Sequence, residues 1–295
     1  MAEGYAVAGS EPRRLRRLGL GSLSHSARRT LIWACLLTAA LATLFPFAWM
    51  VSGSFKSDLA VFQTPPQLIP HPFHPENYSK VVDLFPVWRF LINSIAVAAI
   101  STTLQVATSA MAAYAFARMK FRGSNALFLL YLATMMVPFQ VTIVPLFVEM
   151  KYLHAVNTYP GLILPTIASA FGTFLLRQAF LTLPKDLEEA AFVDGAGHWT
   201  VFSRIALPLV KPALATFAVL SFMASWNSFL WPLVIVNSPK LMTLPVGLAN
   251  LQGEYTTSWN LVMAGATISV VPIIAVYLLA QKHIVRGFVL SGVKG

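Results

Sequence analysis

Charge is what this sequence has least of. Asp, Glu, Lys and Arg together make up 11% of its 295 residues, against 57% apolar. A soluble domain covers its surface with about a quarter charged residues, so an ordinary water-soluble fold is excluded. Cysteine is nearly missing as well. Cys35 stands alone, which rules out a disulfide within the chain and leaves the thiol an apolar role. The sequence contains no G-x-x-x-x-G-K-[ST] loop and so offers no P-loop cradle for a nucleotide. His71 and His74 lie in a proline-rich stretch without Cys or a carboxylate cluster, and His25, His154, His198 and His283 are scattered. From this we expect neither a metal site nor an enzyme active site.

What remains is long apolar sequence, with a mean hydropathy of +0.67. Six segments are long enough to cross a bilayer as helices, which takes roughly 20 residues each. They are Leu31–Ser52, Phe90–Ala117, Ala126–Val148, Tyr159–Leu176, Pro212–Val236 and Leu261–Ala280. The spans hold few ionisable groups and lack the polar–apolar alternation of barrel strands, so the expected class is all-α integral membrane. The net charge of +10 fits this reading through its distribution. With six spans and the N-terminus inside, sixteen Lys and Arg fall on the inner side and five on the outer. That bias sets both termini in the cytoplasm, and makes nucleic acid an unneeded partner. The first span has a basic flank, but it runs on through Trp33, Phe45, Pro46, Phe47 and Trp49 without a small-x-small site, so it reads as uncleaved.

The expected organisation is a basic, disordered tail over 1–29 and a membrane domain over 30–295. Pro65, Pro66, Pro70, Pro72 and Pro75 mark an extended outer segment between Gly53 and Trp88. Prolines also sit inside the spans, at 46, 138, 145, 165, 232 and 272. Each removes a backbone donor and permits a bend, which serves either packing or rocking between two open states.

One inner stretch differs from the rest. Over residues 183–208, Pro184 suits the first turn of a helix, and Asp186, Glu188 and Glu189 place negative charge at its positive end. Leu187, Ala190, Ala191 and Asp194 share a face, and two alanines there leave room for a close neighbour. Gly195 ends that helix, a second begins near Trp199, and Pro208 opens the fifth span. The expectation is a helix–turn–helix on the inner membrane surface.

Glu189-Ala190-Ala191, then Gly195, then Ile205 and Leu207-Pro208, match every defined position of the EAA motif of ABC-importer permeases. Further likeness runs through Trp226-Asn227, Trp231-Pro232-Leu233, Thr243-Leu244-Pro245 and Ser291–Gly295. From about Leu31 to Gly295 the chain resembles the carbohydrate-uptake branch, and the smaller subunit of a maltose-type permease pair in particular. The resemblance implies a type I importer permease whose inner helix pair couples it to an ATPase. Glu188, Glu189, Ala190, Ala191, Asp194, Gly195, Ile205, Leu207 and Pro208 would form that coupling surface, with Lys294 and Gly295 as a C-terminal contact. It also implies a second homologous permease, two ATPase subunits and an extracytoplasmic sugar-binding protein. ATP and Mg would be bound by the ATPases, and this chain would hold no cofactor. Gln252, Gly253, Glu254 and Tyr255 would touch the binding protein. Trp226 and Asn227, a stacking ring and an amide in the fifth span, are candidates for the sugar path, although packing would use the same residues. Rival readings are an importer of another small solute, such as a glycerol phosphodiester or amino-sugar derivative, an ion-driven carrier, and a membrane receptor. The spans lack the buried acid or lysine relay that an ion-driven carrier needs.

Overall fold

The computed structural model describes residues 25–251 and 257–292. Gln252, Gly253, Glu254, Tyr255, Lys294 and Gly295 therefore lie outside the described residues, as does most of the N-terminal tail. The described chain is helical, with nothing closer to a strand than an isolated bridge at Thr257. It forms two compact units, Met1–Trp49 and Met50–Gly295.

The first unit contains most of helix α1 (His25–Ser54), which already begins inside the stretch expected as tail. Its apolar side chains are exposed from Leu31 to Phe47, and Trp33 and Leu37 are each 62% exposed. Such a surface suits hydrocarbon or another chain, not water.

In the second unit, α2 (Glu76–Leu84) leads into α3 (Val87–Arg118), the spine of the fold. Phe90, Asn93, Ser94, Val97, Ala98 and Ser101 are buried on α3 at spacings of three and four, as are Ser109, Ala110, Ala113 and Tyr114 further along. Most of these are small, which lets neighbouring helices come close where lipid gives no hydrophobic push between them. Three apolar clusters hang on this helix. Ala110, Ala113 and Tyr114 pack with Leu176, Phe180, Val201, Phe202 and Phe217 at one end. Val87 and Phe90 pack with Val81, Trp226, Leu244 and Ala264 at the other. Val97 meets Met150, Leu162, Trp231 and Ile235 between them.

Three of the six expected spans are not single helices. The third is α4 (Ser124–Ala133, continued by a 3-10 turn to Met136) and α5 (Phe139–Tyr152), which meet at 101°. Pro138 stands at the joint and forces Val137 into an extended conformation with ψ of 115°. The fourth is α6 (Tyr159–Ile163), a 3-10 turn over Leu164–Thr166, and α7 (Ala170–Leu181), bent by 47°. The Ile167 carbonyl at that break is met from α3, where Thr108 Oγ1 donates to it at 2.5 Å; Ser109 Oγ adds a longer bond of 3.4 Å to Ser169 O, which already accepts from Thr173 N. The Ser169 hydroxyl in turn accepts from Gly172 N at 3.0 Å and caps α7.

After α8 (Asp186–Val193) and α9 (His198–Leu209), the fifth expected span, Pro212–Val236, also divides. Its helix α10 (Lys211–Trp226) stops before Asn227, and α11 (Leu230–Ile235) follows three residues later. Pro232 has no N–H to offer the Ser228 carbonyl and its ring crowds that position, which favours the break just ahead of it. A short helix α12 (Leu244–Ala249) and the long α13 (Trp259–Gly292) complete the fold. Among the described residues α1, α3 and α13 are long and apolar enough to cross a membrane unaided, and the three bent pairs bring the number to six. One of those pairs joins α9 to α10 at 79°, so the surface helix feeds directly into the fifth span.

Candidate functional site

The helix pair over 183–208 is present, with its turn built as its residues dictate. Helix α8 starts at Asp186, so Pro184 lies two residues before it and not in its first turn; Asp186, Glu188 and Glu189 occupy that turn. The other end closes on Gly195, whose φ of +84° is the left-handed conformation that L side chains resist. Ala196 N donates to Ala191 O at 2.9 Å and Gly195 N to Phe192 O at 3.0 Å, which satisfies the last carbonyls of α8. The chain then reverses into α9.

Helix α9 is held down by Val201, Phe202 and Ala206 in the same cluster as Tyr114, Phe180 and Phe217. Residues Val201–Ala206 form a wide π turn. Pro208 explains it: its ring displaces the Arg204 carbonyl four residues back, and the wider turn accommodates that. The surface helix runs past Pro208 to Leu209, and Pro212 in the first turn of α10, not Pro208, opens the fifth span.

The structure divides the expected coupling residues into two groups. Glu189, Ala190, Asp194, Gly195 and Pro208 are exposed, beside the exposed apolar side chains of Leu187, Phe192, Val193 and Trp199. Val193 is 87% exposed, so its apolar side chain is not part of the core of the described residues. Glu188 does not belong to that surface. It turns inward, and its Oε1 lies 3.2 Å from Arg118 Nε, with the two side chains 10% and 5% exposed. Arg118 Nη2 also donates to Leu183 O at 2.6 Å, just ahead of α8. Ala191, three residues after Glu188, and Leu207 likewise lean on the internal cluster, and Ile205 is half-buried. One face of α8 therefore belongs to the bundle and the opposite face to the outside.

Trp226 is buried in the bundle. It is the last residue of α10, 1% exposed, and stacked against Phe222 at 5.9 Å. The ring fills the core because α10 stops there and Leu244 and Ala264 close over it. Asn227 is exposed in the break, where its Nδ2 donates to Met223 O at 2.8 Å. A cavity of about 160 Å³ lies beside the break, with Ser94, Gln105, Thr166, Ser225, Ser228 and Thr243 in its lining. Gln105 Oε1 accepts from Ser221 Oγ at 2.8 Å, and Thr243 Oγ1 is buried with no partner among the described residues. Sequence reading missed these residues; an amide at 105, midway along an apolar helix, was the signal available for them. The described residues contain no cluster of three metal-ligating side chains.

A helix pair fixed to the bundle on one face and exposed on the other, feeding a broken span beside a polar cavity, is the geometry to compare. A family model described as "Binding-protein-dependent transport system inner membrane component" matches residues 105–289, from Gln105 through both surface helices into α13. The chain belongs to this family. Among curated members it is 36% identical over 259 residues to the arabinooligosaccharides transport system permease protein AraQ of Halalkalibacterium halodurans, covering 87% of this chain and 93% of that one. It is also 36% identical over 281 residues to the sn-glycerol-3-phosphate transport system permease protein UgpE of Salmonella typhi, covering 92% and 97%. Its fold superposes with a TM-score of 0.76 on a chain of a bacterial ABC transporter involved in the import of the acidic polysaccharide alginate. That match has 26% identity and covers 88% of this chain and 98% of that one. This protein is thus an all-helical permease of the ABC-importer type, a membrane component with its surface helix pair in place.

Proposed function

We propose that this permease subunit moves a sugar or short oligosaccharide inward, driven by ATPase subunits that dock on the exposed face of α8 and α9. The observation that carries the reading is the division of α8. One face holds the bundle, and Glu189, Ala190 and Val193 are exposed among the described residues. A charged and apolar patch on a rigid helix suits a partner that pushes on it. Sixteen Lys and Arg on one side of the six spans against five on the other support a cytoplasmic location, in a bacterial inner membrane, for this face and both ends. The partners would be a second permease, two ATPases that bind ATP and Mg, and an external binding protein that meets the loop over 252–255. Closing of the ATPases would tilt α8 and α9, and α9 would pass that motion straight into α10.

The substrate class rests on the arabino-oligosaccharide relative, and the hydroxyl-lined cavity at the α10–α11 break supports it. Serine and threonine hydroxyls and the Gln105 amide both donate and accept, as a polyol requires. The glycerol-3-phosphate relative keeps a second solute in view. Its phosphate would call for a cation, and the cavity lining has none.

Reconstitution in vesicles with the partner subunits decides between these readings. ATP-dependent uptake of an arabino-oligosaccharide, with no ion gradient, is expected. Uptake of glycerol 3-phosphate instead would overturn the sugar reading, and uptake driven by an ion gradient without ATP would overturn the whole. Glu189→Lys should reduce ATPase co-purification and uptake by tenfold or more while the chain remains in the membrane. Wild-type values for both would remove Glu189 from the contact.

A further inference from the structure

At the end of the bundle that carries α8 lies a recess that the coupling surface does not use. Its volume is about 660 Å³, and Lys120, Arg122 and Arg177 line it together with Phe116, Phe121 and Ala126. The aromatic floor is fixed. Arg177 Nε donates to Phe116 O at 3.2 Å, its guanidinium lies 4.3 Å from the centre of the Phe128 ring, and Phe116 packs on Phe128 at 5.3 Å and Phe121 at 6.0 Å. Among the described residues no carboxylate lines the recess, and the nearby Arg118 is already matched by Glu188. Lys120 and Arg122 are exposed and form no ion pair with any described residue. Three cations therefore surround a space that is apolar beneath and open above. The loop 119–123 joins two apolar segments, so the recess sits at the depth of the lipid headgroups.

We infer that this recess binds the headgroup of an anionic phospholipid, with its phosphate between Lys120 and Arg122 and its glycerol and first methylenes against Phe116 and Phe121. A phosphodiester supplies the missing negative charge, and Arg with its planar donors suits it. The aromatic floor gives the site a reason to prefer a lipid over free phosphate, because an inorganic ion leaves those rings uncovered. Basic pockets between membrane helices on the inner side are suited to such headgroups. The inference rests on the membrane reading alone and does not depend on which solute is carried.

The test uses the full chain, purified in detergent with the subunits that accompany it, and native mass spectrometry of added dioleoyl phosphatidylglycerol and dioleoyl phosphatidylcholine. Wild type should hold one phosphatidylglycerol more tightly than any phosphatidylcholine. Each basic residue near an anionic headgroup contributes about fivefold, so Lys120→Ser/Arg122→Ser should weaken that site about 25-fold. Arg122→Ser alone should weaken it about fivefold, which gives a reading even if the double variant assembles poorly. Lys151→Ser/Lys240→Ser removes the same charge from exposed positions elsewhere and should leave the site unchanged. Equal lipid affinity in wild type and the Lys120/Arg122 variants overturns the inference. So does an equal loss in the control, which would mean net charge alone. Displacement of the lipid by millimolar inorganic phosphate would also overturn it, by making the recess a free-anion site. Lipid counts are read without any transport, so a failure here is distinct from a failure to import sugar.

Discussion

Removing Glu188 should loosen α8 from the bundle, although its neighbour Glu189 can be changed with no such effect. Glu188 and Arg118 are 3.2 Å apart with side chains only 10% and 5% exposed, so water screens the pair weakly. In Glu188→Leu the guanidinium stays buried with Leu183 O as its remaining partner. Breaking a buried pair from one side costs about 3–5 kcal/mol, which is a factor of about a hundred or more in a local opening equilibrium. Hydrogen exchange over peptides covering 183–197 measures that opening directly. Glu188→Leu should exchange about a hundredfold faster there, and Glu189→Leu at the wild-type rate. Arg118→Met/Glu188→Leu removes both charges and should recover most of the protection, since an apolar pair of similar volume is tolerated where a lone charge is not. The reasoning fails if Glu188→Leu stays within about twofold of wild type, or if the double variant is as open as the single one.

Gly195→Ala should destabilise the α8–α9 turn by about 1–2 kcal/mol through backbone strain alone, because its φ is +84° and open space surrounds the new methyl group. Faster exchange at 194–197 with α3 unaffected is the expected reading, and an unchanged rate would mean that the turn relaxes freely. Replacing Gln252–Tyr255 with a Gly/Ser linker should preserve assembly and basal ATP hydrolysis but weaken stimulation by the loaded binding protein; full stimulation would leave that loop a simple connection. On the outer segment, His74 Nδ1 meets Glu76 Oε1 at 2.6 Å, and this hydrogen bond holds the Glu76 carboxyl below its ordinary value of 4.5. Its contribution is complete above that ordinary value and is lost as pH falls through the lower folded one. The extra protection of residues 74–80 in wild type over Glu76→Gln should therefore be present at pH 6 and gone in strong acid, and a pH-independent difference would refute the assignment.

What was legible in the sequence is what short-range physics sets. Apolar length gave the six membrane segments, because a helix that meets its own backbone hydrogen bonds needs only enough hydrocarbon-compatible residues to cross. The Gly195 turn was legible for a similar reason: a left-handed position at a helix end is a property of one residue and its near neighbours. Pro138 and Pro232 were visible as places where a helix could bend, and both mark real breaks, at 101° in the first case. Pro46 and Pro272, identical in sequence terms, lie inside helices that run on. A proline removes one donor, and whether the chain then turns depends on what neighbouring helices supply. At the fourth-span break it is Thr108 of α3 that meets the Ile167 carbonyl, 59 residues away in sequence.

The tertiary structure alone decided which acid faces where. Glu188 and Glu189 are adjacent, and in a helix that places them about 100° apart. The acid that turns inward is fixed by Arg118, seventy positions earlier, at the end of a helix that packs beneath α8. Trp226 followed the same logic. A tryptophan in a membrane segment can line a path or fill a core, and here α10 ends on it while Leu244 and Ala264 cover the ring. The polar lining beside it is gathered from Ser94 and Gln105 of α3, Thr166 of the 3-10 turn after α6, Ser225 of α10, Ser228 in the break that follows it and Thr243 just ahead of α12. Spacing along one chain carries the rules of a helix and its caps. It does not carry the pairing of charges and cavities between helices, because that is set by how the bundle closes.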